Sequence, residues 1–240
     1  MWRLELEGVQ YSYPGTNKPT LDGITSSFTV GEFVVLLGCN GSGKSTLAQV
    51  MAGILKPFSG TVTISSDVPS VGKEPPNPQP VGILLQTPDE SLFTSSVARE
   101  IAWGLENCAV PTDEIEKRVN KTLKSFGLTE LADRPQESLS DGQKQLVALA
   151  ALVAVEHRFY ILDEAAAYLD PYWKRQVRET AQALTKDAGV MWITSRPSDV
   201  RDADRVWIMH HGRLAADPIP GEALNQETLA LYGLISASRS

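Results

Sequence analysis

"GCNGSGKST", residues 38–46, follows the apolar run "FVVLL" and opens a stretch with helical spacing. It satisfies G-x-x-x-x-G-K-[ST], and that reading decides the fold. The glycines let the backbone turn tightly, so that successive N–H groups point inward, and the following helix adds its positive end. Gly38, Cys39, Asn40, Gly41, Ser42, Gly43, Lys44, Ser45 and Thr46 form the candidate phosphate loop. Lys44 supplies a mobile cation for phosphate oxygens, and the Ser45 hydroxyl is placed to ligate Mg²⁺. By chance the pattern arises in roughly one per cent of chains this long. A bare glycine-rich turn would not require the strand–loop–helix context found here. The chain is expected to bind a nucleoside triphosphate.

Outward from the loop, residues 3–9 alternate like a strand, and "FTVGEFVVLLG" reads as a strand pair turning at Gly31. Leu47 to Leu55 has helical spacing, and "GTVTIS" is a further strand. The proline-rich stretch 69–80 reads as a surface connection. After "VGILLQ" (81–86), strand signals vanish until about Val155. There Ile115, Val119, Leu123 and Phe126 mark one apolar helix face, with Thr112 as its expected N-cap. From Phe159 strands return as "FYIL", "VMWIT" and "RVWIM", with a helix between the first two. Strands alternating with helices imply a largely parallel sheet covered by helices.

"FYILDE" ends in Asp163 and Glu164. At the carboxyl edge of a parallel sheet an aspartate can hold Mg²⁺, and the adjacent glutamate can take a proton from an attacking water. Two surface acids opening a turn would look the same in isolation, so the pair gains its meaning from the phosphate loop. "ESLSDGQKQLVALAALVA" then places Ser140 and the N–H groups of Gly142 and Gln143 at the start of an apolar helix, a second anion-binding end. A plain capped helix would account for Ser140 alone.

The bulk composition sets limits. The 240 residues can bury a substantial core, and 42% hydrophobic with 21% charged residues is ordinary for a globular chain. A net charge of −7 argues against a nucleic-acid-coating surface. The longest apolar run, Leu146 to Val155, is far short of the roughly 18–20 residues that cross a bilayer. Cys39 and Cys108 are the two cysteines and give no disulfide framework. With no secretory signal at Met1, the sequons at Asn40 and Asn120 are expected to stay unmodified, in a cytosolic protein.

Leu139-Ser140-Asp141-Gly142-Gln143, followed by "YILDEAAAYLDP", resembles the signature of ATP-binding cassette (ABC) ATPases, and the resemblance runs from about Leu4 to Leu234. It implies an α/β fold: a P-loop NTPase core (1–87 and 157–240) with a mostly parallel sheet flanked by helices, plus an inserted helical signature subdomain (88–156). It implies ATP and Mg²⁺ as ligands, the metal at Ser45, Gln86 and Asp163, and catalysis by Glu164, Gln86, Lys44 and the residue at position 195. Tyr13 matches the aromatic residue that stacks on adenine. Asp170, in "AYLD", matches the loop that crosses a head-to-tail dimer, in which each nucleotide meets the other chain's signature. "QTPDESLFTSSVAREIAWGLEN" is most similar to energy-coupling-factor importers for cobalt, nickel and vitamins. A homodimer, or a heterodimer with a second ABC subunit, is expected on the cytoplasmic face of the membrane. Integral membrane subunits are expected to dock between the Gln86 loop and about 88–107. No nucleic-acid partner is expected.

The chain also departs from that family. Asp141 stands where glycine is usual, Leu146 where arginine is, and Ser195, in "VMWITSR", where a histidine contacts the γ phosphate. His157, His210 and His211 are the three histidines and read as surface or turn residues. Removing one transition-state donor typically costs ~10²–10³ in rate, so slow hydrolysis is expected at this chain's own phosphate site. The alternatives are a regulatory half of a heterodimer and an ABC ATPase outside transport.

Overall fold

The computed structural model describes residues 1–67, 80–85, 92–167, 169–215, 219–220 and 224–235. Gln86, Tyr168, nearly all of the proline-rich stretch and the first part of the expected docking segment lie outside these residues.

Two sheets stack. β1 (Trp2–Tyr11) is the centre of an antiparallel sheet, with β2 (Leu21–Thr29) on one side and β4 (Ser59–Ser66) on the other. The main sheet holds β3 (Phe33–Gly38), β5 (Val81–Leu84), β6 (Phe159–Asp163), β7 (Gly189–Thr194), β8 (Arg205–His210) and β10 (Ile219–Pro220), in the order β10-β8-β3-β7-β6-β5, with β9 (Arg213–Leu214) beside β8. From β8 to β5 every pairing is parallel.

The central strands are buried on both faces, which is why they read as continuous apolar runs. Period-two alternation then divides them between two cores. Val35, Leu37, Tyr160, Leu162, Val190 and Trp192 face one core, together with α2 (Val97–Asn107), α3 (Thr112–Ser125), α4 (Asp141–Ala154) and α5 (Pro171–Leu184). Val34, Leu36, Phe159, Ile161, Met191 and Ile193 face the other, under α1 (Lys44–Met51) and the antiparallel sheet. A short α6 (Gln226–Leu231) follows.

Four expectations need correction. β2 and β3 do not pair across Gly31: β2 pairs with β1, while β3 pairs with β7 and β8, so Gly31 marks a passage between sheets. α1 stops at Met51 rather than Leu55, because Gly53 turns left-handed (φ 74°) just beyond it. Thr112 is the first helical residue of α3, whose N-cap is Pro111. His157 is not a surface residue: it is 8% exposed and its ring lies over Gly82. In α2 to α4 the charged residues face outward, whereas Glu100 is buried (2% exposed). Its Oε2 accepts from Phe93 N (3.0 Å), Thr94 N (2.8 Å), Thr94 Oγ1 (2.9 Å) and Gln136 Nε2 (2.7 Å). Among the described residues, no helix is long and apolar enough to cross a membrane.

Candidate functional site

The loop from β3 to α1 is built as its sequence demands. Gly43 is left-handed (φ 107°), and a Cβ there would lie 2.9 Å from the Thr20 carbonyl oxygen. Gly38 admits no side chain either, since a Cβ would fall 2.5 Å from the Met209 carbonyl oxygen. Lys44 is buried, and its Nζ donates to the carbonyls of Gly38 (2.8 Å) and Cys39 (3.1 Å). Burial lowers its pKa from the ordinary lysine value, against the opposing pull of Glu164 and Asp163.

β6 delivers the two acids. Asp163 is 2% exposed, and burial pushes its pKa above the usual carboxylate value despite a hydrogen bond with Ser45. Its Oδ1 is buried without a hydrogen-bond partner among the described residues. Glu164 follows in the left-handed region (φ 49°), rare for a side chain of its size, and its N–H donates to Ile193 O at 3.0 Å. Glu164 lines a cavity of about 290 Å³ with Thr20, Lys44, Ser45 and Thr46. The structure therefore gathers Lys44, Ser45, Asp163 and Glu164 at one sheet edge.

Tyr13 is 40% exposed near the same loop, its hydroxyl 3.3 Å from Thr46 Oγ1. Thr194 pairs with Leu37 and Ile193 with Asp163, so the tip of β7, carrying Ser195, emerges between the phosphate loop and the acids. Arg196 does not point to open solvent: its Nη2 donates to the Ala167 carbonyl.

The signature residues lie at the start of α4, and each has a local explanation. Ser140 Oγ accepts from Gln143 N (3.3 Å) while Gln143 Oε1 accepts from Ser140 N (3.0 Å), a reciprocal capping box. Gly142 is covered by Trp173. Leu139 is buried and Asp141 exposed. A capped helix thus accounts for more of this motif than its sequence suggested, glutamine included. Leu146, in place of a charge, sits in the core. Asp170 Oδ1 accepts from Tyr172 N (2.9 Å) and Trp173 N (3.0 Å), capping α5.

Several neighbours escaped the sequence. Thr20 lines the cavity, Gly212 N donates to Ser42 O (2.9 Å), and the Cys39 thiol donates to Gly233 O (3.4 Å). All are contacts between segments remote in the chain, and no local pattern announces them.

The ABC transporter family model matches residues 21–167. The chain belongs to the ABC transporter family. It is 37% identical over 238 residues to the energy-coupling factor transporter ATP-binding protein EcfA1 of Caldanaerobacter subterraneus, covering 96% of this chain and 86% of that one. It is 32% identical to the cobalt import ATP-binding protein CbiO of Syntrophus aciditrophicus, over 93% of this chain and 81% of the relative. Among solved structures, CbiO1 of Clostridium perfringens, part of the transporter complex CbiONQ, superposes with a TM-score of 0.78 at 32% identity, covering 95% and 94% of the two chains. This ABC protein is an ATP-binding, ATP-hydrolysing subunit with a P-loop α/β fold.

Proposed function

We propose that the chain hydrolyses Mg-ATP at the cavity beside Lys44 and Glu164, and that closure on ATP drives a separate membrane component importing a metal ion or vitamin. The observation that carries the chemistry is the buried, partnerless Oδ1 of Asp163 beside the Ser45 hydroxyl. Those two oxygens are hard donors of the kind Mg²⁺ takes, so the residues present fit the ion, with Gln86 as a further ligand. The bound ion supplies charge neutralisation to the phosphates. Loop N–H groups and Lys44 hold the phosphates, Tyr13 stacks on the base, and Glu164 takes the proton of the attacking water.

The solute class rests on the names of the relatives. The partner reading is supported by a groove of about 810 Å³ between β5, α2 and α4. Phe93 and Trp103, with ring centroids 5.2 Å apart, and Ile54 line it, exposed at 66%, 37% and 57% respectively. An apolar helix of a membrane subunit fits there and would hold the protein peripherally at the cytoplasmic face. The insert at 88–156 then acts as a unit between core (1–87 and 157–240) and membrane, and Ser140–Gln143 faces the nucleotide of a second ABC subunit.

Binding of a fluorescent ATP analogue tests the site. It should need Mg²⁺ in the wild type, vanish in Lys44→Ala and lose its metal dependence in Asp163→Ala. Undiminished, metal-independent binding in all three would refute it.

A further inference from the structure

We propose that Arg196 is a positioning residue: its guanidinium, anchored on the Ala167 carbonyl, holds the Glu164–Ala167 turn in the conformation that presents the Glu164 carboxylate to the phosphate cavity. This rests on the ATPase reading of Glu164 and names what keeps that residue in place.

The turn needs holding. Glu164 is left-handed, a conformation unfavourable for a non-glycine residue, which persists only where the surroundings fix it. Two of its ties are backbone bonds that any sequence could make: Glu164 N to Ile193 O (3.0 Å) and Ala167 N to Glu164 O (2.9 Å). The tie from Arg196 Nη2 to Ala167 O depends on a side chain. Both ends of the turn are thus fastened to the tip of β7, its start at Ile193 and its end at Arg196.

Arg196 is itself well anchored. Pro197 follows it and restricts its backbone to the extended region, where it lies (φ −103°, ψ 118°). Its N–H donates to Thr194 Oγ1 (3.1 Å), and that hydroxyl donates to Asp199 Oδ2 (2.8 Å). Thr194 is 1% exposed, so the chain of bonds starts from a side chain buried in the sheet. The guanidinium is half-buried, and a charged donor on a carbonyl is stronger than a neutral one. Beyond Ala167 the chain leads directly to Asp170, the cap of α5. Arg196 therefore ties the tip carrying Ser195 to the segment running from Glu164 towards α5.

Arg196→Gln, Arg196→Lys, Glu164→Gln and wild type decide the matter, by amide hydrogen exchange and by ATP turnover with separate measurement of ATP affinity. In Arg196→Gln, exchange at 164–167 should quicken roughly tenfold, and kcat should fall by about tenfold or more with affinity unchanged. Arg196→Lys, which keeps a charged donor, should recover part of both. Wild-type exchange at 164–167 in Arg196→Gln overturns the proposal. So does faster exchange throughout the chain with loss of affinity, which would mark a general fold defect. If wild type turns over no faster than Glu164→Gln, the ATPase reading fails, and exchange at 164–167 still decides the role of Arg196.

Discussion

The indole of Trp173 closes over Gly142 so tightly that a methyl group on Gly142 would lie 2.4 Å from Trp173 Cδ1. That contact joins the first turn of α4, which carries the signature, to the first turn of α5, capped by Asp170. Gly142→Ala should therefore destabilise the protein by about 1–3 kcal/mol through overpacking. Urea unfolding of Gly142→Ala, Trp173→Leu and the double variant checks this. The double variant should be more stable than the sum of the single effects predicts, because the smaller side chain makes room for the methyl group.

Asp163 is expected to lower the stability of the nucleotide-free protein. Burial disfavours its charged form and so raises its pKa above the ordinary carboxylate value. Asp163→Asn should melt higher by roughly 2–4 °C without nucleotide, for about 1 kcal/mol relieved. The sign follows from proton linkage: the folded state binds this proton more tightly than the unfolded state, so wild type gains stability as pH falls through the folded pKa. The gap between variant and wild type should accordingly close on acidification. A gap that widens would contradict the reading.

Glu100 makes a different kind of demand. Four donors converge on its Oε2, joining the segment at Phe93 and Thr94 to α2 and to Gln136. Glu100→Ala removes the acceptor these four donors share, in a largely buried setting, and should cost about 1–3 kcal/mol, with Glu100→Gln in between. Thermal melting of both variants measures it, and an unchanged melting point in Glu100→Ala would remove the clasp from the account.

The sequence disclosed what is local. The phosphate loop, the acids ending β6 and the parallel core follow from glycine spacing and apolar runs. It did not disclose that β2 and β3 belong to different sheets, because a strand's partner is a long-range choice that alternation does not encode. The burial of His157 escapes the sequence for a related reason, since the small Gly82 that accepts its ring lies on a distant strand. The capping box at Ser140 and Gln143 is visible in the sequence as a local pattern, and it is compatible with an anion held at the same helix start.

Cys39 offers a chemical test of the loop. Its thiol is half-buried and donates to the carbonyls of Tyr232 and Gly233, 3.7 and 3.4 Å away. Alkylation should block nucleotide binding, and bound Mg-ATP should slow the labelling. Equal labelling rates with and without Mg-ATP, followed by mass spectrometry, would count against the site as drawn.

ATP turnover per chain against protein concentration, with Glu164→Gln as the blank and Ser195→His alongside, tests the central claim most directly. The account predicts slow turnover that rises with concentration, because a second subunit's signature completes the site. It also predicts loss of turnover in Glu164→Gln and a gain of about tenfold or more in Ser195→His. Turnover that is independent of concentration and equal in wild type and Glu164→Gln would contradict it.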